Sequence, residues 1–472
     1  MNEFIRSALA ASGNSIEIDA DTSHVRVRDE ALLRSHGIDS LVYLAVFGGS
    51  TRQAVARWLI WEAAQSLEIH PASIYDLYLG RAQDRMPPTF TTPALNLRAL
   101  TYDIARSAFS AAIKGHVGPV IFELSRGEMV DSDQRPGEYS SVVLAAAIKE
   151  GYRGPVFLQG DHFQVNARNY IANTDAELAG LRNLILESLR AGFYNFEFDT
   201  STLVDMGKPT LSEQQRLNYE LCAMLCDYVR THQPPKVIVA VGGEIGEVSG
   251  QDSDIHELRV FMDNLQKHMH HRPGLCKLAV RVGTSPGGVV MPDGTIATMD
   301  VDFERLAELS TAARREYNMG GAAQHGASTL PQEYFHKFVE AGAIELHLAT
   351  AFQNQLFERL PAHLVTEINA WLFKNAAGKR RPGDTDRQFI YRTRRLATGP
   401  FKKHMWNLSD FERSEIRRVF EEDFARLYES LGVRNTTDTV SNVVQMHRIH
   451  KRVQDFEVDA PVTPPAHEPA EG

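Results

Sequence analysis

The chain is poor in cysteine, with three in 472 residues. Cys222 and Cys226 are four residues apart in a segment with helical periodicity, and the third is Cys276. So few thiols argue against the disulfide framework on which small secreted proteins depend. A thiolate pair on one helix face is able to bind zinc. We favour buried thiols on an apolar helix face, because free cysteine is among the most buried residue types.

Long apolar runs and an excess of positive charge are also missing. No window approaches the roughly 20 apolar residues that cross a bilayer, and the first residues lack the basic and apolar regions of a secretory signal. The 50 basic residues face 60 acidic ones, for a formal net charge of -10. Nucleic acids and anionic membranes select clustered basic surfaces. We therefore expect a soluble, cytoplasmic protein with a small-molecule ligand and neither nucleic acid nor membrane as partner.

From residue 88 onward, short apolar runs alternate with longer segments of helical periodicity. Alternating strands and helices favour a parallel sheet, and eight such units over this length favour a closed (β/α)8 TIM barrel. The eight predicted strands are 89–96, 119–124, 155–160, 195–199, 237–243, 277–284, 322–326 and 344–350.

Four regions are expected along the chain. Residues 1–87 form an N-terminal helical extension, and residues 88–360 form the barrel. Residues 361–457 form a C-terminal helical region with interleaved arginines and carboxylates, which is typical of a solvated or subunit-facing surface. The proline-rich residues 458–472 are expected to be disordered.

Polar residues follow the predicted strands, and active sites of TIM barrels lie at the carboxyl ends of their strands. The candidates at these ends are Asn96, Ser125, Asp161, His162, Asp199, Glu244, Thr284, His325 and His347.

Three of these side chains have the chemistry of a metal site. His162, Glu244 and His325 follow three different strands, and imidazole and carboxylate groups are ligands that zinc accepts, with an open fourth position in catalytic sites. The neighbouring Asp161 is placed to act as a base. The alternative is that Asp161 caps the next helix and His162 binds a backbone carbonyl. We favour the metal site because several such residues fall on one rim.

Six motifs, in this order, resemble the class II, metal-dependent ketose-bisphosphate aldolases, which include the fructose- and tagatose-bisphosphate enzymes. They are P-A-L-N at 93–96, V-I-F-E-L-S-R-G at 120–127, G-D-H at 160–162, G-G-E-I-G-E-V-S-G at 242–250, V-R-V-G-T-S-P-G at 280–287 and H-G-A-S at 325–328. The resemblance implies a lyase that cleaves a ketose phosphate or related sugar reversibly with Zn²⁺ or another divalent metal. A homodimer is also consistent with the family that the motifs resemble.

The resemblance implies a role for each matching residue. Asp161 becomes the general acid/base, and Asp252 falls near the family's second catalytic carboxylate. His162 and His325 become metal ligands, and Glu244 becomes a ligand or its support. The substrate-binding candidates are Asn96, Ser125, Thr284, Gly287, Gly326, Ser328 and Thr350.

The sequence departs from the family at two strand ends. Pro286 occupies the position of a third zinc-binding histidine, in a loop that also lacks the family's phosphate-binding lysine, and His347 and Ala349 stand where asparagine and aspartate are expected. His347 is either a substitute metal ligand or a hydrogen-bonded core histidine. We favour aldol chemistry on an altered ketose. The alternatives are a non-catalytic partner of a second aldolase-like subunit, as in the tagatose-bisphosphate enzymes, and a regulatory sugar-binding module.

Overall fold

A computed structural model of the chain describes residues 3–19, 25–245, 252–283 and 301–457. Its centre is a closed barrel of eight parallel strands, in which each strand pairs with the next along the chain, and the last pairs with the first. The strands are β1 Thr92–Asn96, β2 Ile121–Ser125, β3 Gly154–Asp161, β4 Asn195–Phe198, β5 Ala240–Ile245, β6 Lys277–Val280, β7 Ala322–Gln324 and β8 Glu345–Leu348. The TIM barrel expected from the sequence is confirmed, with all eight strands where the apolar runs predict them.

Helices follow the strands around the barrel, as their periodicity predicts. Their apolar faces pack on the strands, and the side chains at 156–158 of β3 are buried, as parallel strands covered on both faces require. Helices in this region span Thr101–Gly115, Arg126–Asp131, Pro136–Glu150, Ala167–Ala172, Thr174–Arg190, Leu211–Gln214, Arg216–His232, Ile255–His268, Phe303–Tyr317, His336–Glu340 and Thr350–Phe357. All three cysteines are buried free thiols, which confirms the interpretation of Cys222 and Cys226.

The barrel interior contains a polar layer beneath the carboxyl ends of the strands. Its members are at most 1% exposed, whereas branched aliphatic side chains dominate the interior of most TIM barrels. They are Glu123, Gln159, Glu197, Lys277 and Glu345. Burial of so many ionisable groups is costly unless they are paired, so this layer must be internally compensated.

The segment before the barrel contains helices at Glu3–Ala11, Glu30–Leu32, Ile38–Phe47, Ser50–Ser66 and Tyr75–Ala82, with a π-helical turn at Leu33–Gly37. It also contains strands that the sequence did not predict, because each is only three residues long. Ile16–Ile18 and Val25–Val27 pair with each other, and Ile69–Pro71 pairs in parallel with the start of β3. The pairing with β3 attaches this segment to the barrel.

The segment after the barrel is mainly helical, with helices at Ala362–Asn375, Asp386–Thr393, Lys402–Trp406, Asp410–Ser430 and Thr437–Ser441. Its last described residues cross the helix Ser50–Ser66, where the indole N–H groups of Trp58 and Trp61 donate to the carbonyls of Lys451 and Ile449. The boundaries of the four regions stay a prediction, and residues 458–472 lie outside the described residues. Within the described ranges, no helix has both the length and the apolar character needed to span a bilayer.

Candidate active site

Asp161 and His162 both face the mouth of the barrel, because the backbone turns sharply where β3 ends. His162 has a φ of +38°, in the left-handed region that non-glycine residues rarely adopt outside turns and functional sites. A Cβ on Gly160 would lie 2.7 Å from the Phe163 ring, so the turn also needs glycine. The next helix is capped by Asn166, whose side chain accepts from the N–H of Asn169, so Asp161 does not serve as that cap.

Three imidazole rings lie in a row across the mouth. The ring centroids of His162 and His325 are 4.1 Å apart, and those of His325 and His347 are 3.8 Å apart and nearly parallel. The rings come from the ends of β3, β7 and β8. The convergence that the sequence predicts for His162 and His325 is therefore present in the structure.

Four side chains at this point each offer one ligand atom, and the four atoms all lie within 4.8 Å of one another: Asp161, His162, Glu197 and His325. The Nε2 atom of His325 is 2.5 Å from Oε1 of Glu197. Glu197 was missed in the sequence, although a carboxylate between two phenylalanines in a buried strand is a detectable signal. Glu244, the predicted ligand, lies 3.2 Å from Nε2 of His162 and groups with His162 and Asp199.

His347 lies deeper, in the polar layer of the barrel. Its Nδ1 atom is 3.1 Å from both carboxylate oxygens of Glu123, and its Nε2 atom is 3.1 Å from Oε1 of Glu345. Burial alone would lower the pKa of His347, but the charges of Glu123 and Glu197 raise it well above its usual value. A metal-ligand role for His347 stays a prediction.

Lys277 is the lysine of the polar layer and bridges three strands. Its ammonium donates to Oε1 of Gln159 at 2.9 Å, lies 3.1 Å from Oε2 of Glu197 and binds the carboxylate of Glu345. Gln159 in turn donates to Glu123 and Glu345. These contacts pair most of the buried charge below the mouth.

The carboxylates at the mouth differ strongly in their proton affinity. Burial raises the pKa of Asp161, but the charges of His162, His347 and His325 outweigh it and hold that pKa below its usual value. Burial and the neighbouring Asp199 raise the pKa of Glu244 to about 8. Pairs of titratable groups with divergent pKa values are typical of acid–base sites.

Several buried carboxylate oxygens at the mouth accept no hydrogen bond from the described residues. They are Oδ1 of Asp161, Oε2 of Glu197 and Oε2 of Glu244, and each has an ionic neighbour instead: His162 at 3.4 Å, Lys277 at 3.1 Å and His162 at 3.2 Å. Unsatisfied buried acceptors are rare in proteins and need an explanation such as a bound ion. Around them six carboxylates (Glu123, Asp161, Glu197, Asp199, Glu244 and Glu345) face Lys277 and the three imidazoles. The donor set and its excess of negative charge fit a divalent cation.

The remaining predicted residues of the first two strands are held by structural contacts. The Asn96 amide donates to Oε2 of Glu128 at 2.6 Å, and Ser125 and Glu128 form a capping box on the helix Arg126–Asp131. Asp252 lies between β5 and the helix Ile255–His268, and its carboxylate accepts a hydrogen bond from the N–H of Gly283 at 2.7 Å.

On the other side of the mouth, Gly326 has a φ of +75° and Ser328 accepts from the N–H of Ala349 at 2.9 Å. Thr350, at 3% exposure, begins the helix after β8, and its hydroxyl has no hydrogen-bond partner among the described residues. Thr284, Pro286 and Gly287 lie outside the described residues. The substrate-binding roles of all these positions stay predictions.

The family model described as fructose-bisphosphate aldolase class-II matches residues 89–409. The chain belongs to this family. The match covers the barrel and the first part of the C-terminal helices, and it confirms the resemblance drawn from the six motifs. Within this aldolase family the chain is divergent, since Pro286 and His347 depart from the expected residues.

Solved structures share the fold at low sequence identity. A probable tagatose 6 phosphate kinase from Sinorhizobium meliloti 1021 is 16% identical with a TM-score of 0.50, covering 75% of this chain and 98% of its own. A fructuronate-tagaturonate epimerase from Cohnella laeviribosi is 12% identical with a TM-score of 0.50, covering 73% of this chain and 82% of its own. A fructose-bisphosphate aldolase from Campylobacter jejuni is 16% identical with a TM-score of 0.44, covering 77% and 94%.

Proposed function

We propose that this aldolase-family protein is a lyase that cleaves a ketose phosphate or a related sugar by reversible, metal-assisted aldol chemistry. The observation that carries the proposal is the position of Asp161. Its buried carboxylate lies 3.4 Å from the imidazole of His162 and 3.5 Å from that of His347, within the group that fits a cation.

His162 and His325 would hold the divalent metal, Zn²⁺ or another ion, with further donors among Glu197, Glu244 and His347. The unsatisfied oxygens of Asp161, Glu197 and Glu244 support this fit. Such a cation would stabilise the negative charge that develops on the ketose fragment when the C–C bond breaks.

Asp161 acts as the general acid/base of the reaction. In cleavage, its carboxylate removes the proton from the hydroxyl group whose carbon is leaving as an aldehyde. In condensation, the same carboxyl returns that proton to the new hydroxyl. The pKa of Asp161 lies below its usual value, so the carboxylate is ionised and able to accept a proton.

Burial of these residues protects the reaction. Asp161 is 5% exposed, and Glu197 is fully buried beneath it. Removing water from such a site strengthens the electrostatic interactions and limits stray protonation of a carbanion-like product. Asn96, Gly326, Ser328 and Thr350 are described positions proposed to contact the sugar or its phosphate, together with Thr284 and Gly287. Asp252 is proposed as the second catalytic carboxylate.

The test is proton exchange with solvent. The metal-loaded protein is incubated in D₂O with hydroxyketone donors, with and without a phosphate group, and with a panel of ketoses. NMR then follows exchange of the donor C–H and release of aldehyde. We expect metal-dependent exchange of the donor C–H in the wild-type protein, and release of aldehyde that is lost in Asp161→Asn. A protein that binds about one metal ion per chain but exchanges the C–H of no donor would contradict the proposal.

Other functions of this barrel predict different results. Conversion of a ketose into its epimer without release of aldehyde would show that the protein is an epimerase and not a lyase. Stable co-purification with a second aldolase-like chain, together with no exchange by the isolated protein, would favour a non-catalytic subunit. The cluster of carboxylates and imidazoles around Asp161 supports the catalytic proposal over that alternative, because burial of so many ionisable groups is costly for a scaffold without a ligand.

A further inference from the structure

The metal site lacks the third histidine that the family resemblance leads us to expect. Catalytic zinc sites use three protein ligands and keep one position open. His162 and His325 supply two, and Pro286 has no side-chain atom that binds a metal at the position of the expected third histidine.

The fourth strand brings a carboxylate to the two histidines. We propose that Glu197 is the third protein ligand, so that two imidazoles and one carboxylate hold the metal. The inference rests on the proposed function, since it concerns the metal of the same site. Ligand atoms of Asp161, His162, Glu197 and His325 lie within 4.8 Å of one another, and Oε1 of Glu197 is 2.5 Å from Nε2 of His325.

The alternation of β4 explains why Glu197 points into the barrel. Successive side chains of a strand face opposite sides. Phe196 and Phe198 stack on each other with ring centroids 5.9 Å apart, and Phe196 also contacts the ring of Phe163. Glu197, between the two phenylalanines, is directed to the interior, where it meets His325 and Lys277.

Glu197 is better placed for this role than Glu244. The Glu244 carboxylate contacts His162 and belongs to a group with His162 and Asp199. Glu197 belongs to the group that contains both predicted histidine ligands. It is also fully buried, whereas the side chain of Glu244 is 15% exposed.

Lys277 holds the second oxygen of Glu197. The ammonium is 3.1 Å from Oε2 and is itself anchored by Gln159 and Glu345. Oε1 therefore faces the mouth, and Oε2 is fixed from below. Support of this kind behind a ligand orients it and tunes its basicity in known metal sites.

The experiment compares Glu197→Gln with Glu244→Gln, the rival ligand, since each change replaces a carboxyl group at the mouth by an amide of the same shape. Full-length proteins are loaded with Co²⁺, the affinity is measured by competition with a chelator, and the d–d absorption spectrum is recorded. We expect Glu197→Gln to weaken binding by more than about 100-fold and to change the spectrum, because loss of a supporting residue alone costs about 10–100-fold. Glu244→Gln should stay within about 10-fold of wild type.

Two results would overturn the inference while leaving the proposed function intact. One is tight Co²⁺ binding by Glu197→Gln with loss in Glu244→Gln. The other is a loss below about 100-fold with an unchanged spectrum, which would make Glu197 a support for His325. Wild-type protein that binds no Co²⁺ would contradict the proposed function itself, and this inference with it.

A measurement on unaltered protein covers the case in which Glu197→Gln does not fold. Crystals of wild-type protein soaked in Co²⁺ would locate the metal by its anomalous scattering. A Glu197 oxygen within about 2.0–2.2 Å of the metal supports the inference. A metal bonded to His162 and Glu244, with Glu197 outside bonding distance, overturns it.

Discussion

The two sides of the barrel mouth contrast in how they satisfy their buried polar groups. On the side of β1 and β2, Glu128 accepts from the Asn96 amide and from the N–H of Ser125, and it forms an ion pair with Arg98 at 2.5 Å. On the side of β3 and β4, Asp161 and Glu197 instead contact imidazoles and Lys277, and their ligand atoms lie within 4.8 Å of those of His162 and His325. The first side is held by its own hydrogen bonds and ion pair, whereas the second has the donor set of a cation site.

Burial and charge alone do not distinguish the structural side of the mouth from the functional side, but the partners of the buried carboxylates do. Both sides bury carboxylates, and both lie at the ends of barrel strands. Taking charged groups out of water costs several kcal/mol per ion, even when they are paired. A fold that keeps several together gains from a cation that binds there, because the cation offsets those costs. The completed side instead fixes the shape of the mouth.

Asp161→Asn should have the largest effect, on the side that needs a ligand. Loss of a general acid/base lowers kcat by about 10²–10⁴-fold. The asparagine retains the shape of the side chain, so the metal content should stay close to that of wild type. Steady-state kinetics and metal quantification on the same preparation check both expectations. Full activity in this variant would remove Asp161 from the mechanism.

Arg98→Met should lower the stability of the protein on the β1 and β2 side of the mouth without loss of the metal. The change leaves the buried Glu128 carboxylate without its cationic partner. Loss of one partner of a buried ion pair costs about 3–5 kcal/mol of unfolding free energy. Urea unfolding measures the loss. The double variant Arg98→Met/Glu128→Gln is the control and should recover part of it, because no unpaired charge remains. A large drop in metal affinity in Arg98→Met would show that the two sides are coupled.

Ser125→Ala should have the smallest effect. Ser125 caps the helix Arg126–Asp131 through the N–H of Glu128, and loss of such a cap costs about 1 kcal/mol. We expect that loss in urea unfolding, with kcat and KM close to those of wild type. A rise in KM without loss of stability would instead assign Ser125 to substrate binding, as the family resemblance implies.

Much of the fold was predictable from the sequence, because a closed parallel barrel buries each strand on both faces and gives near-continuous apolar runs. The meeting of Asp161, His162 and His325 followed from topology, since the carboxyl ends of all strands share one rim. The capping role of Ser125 was also readable, because S-R-G-E at 125–128 matches the capping-box pattern.

The polar layer was not predictable in the same way. Glu197, Lys277 and Glu345 lie inside otherwise apolar strands, and a single charged residue there does not reveal whether it faces the interior or a surrounding helix. Their partners come from strands distant in sequence, such as the 118 residues between Gln159 and Lys277. Only the closed barrel shows that these charges compensate one another.

The most direct test of the account is the metal content of the wild-type protein. The purified chain is stripped with a chelator, dialysed against Zn²⁺, Mn²⁺ or Co²⁺, and analysed by elemental mass spectrometry beside His162→Ala. We predict about one tightly bound divalent ion per wild-type chain and a clear loss in the variant. No bound metal in wild type, or the same content in both proteins, would contradict a metal centre built on the end of the third strand.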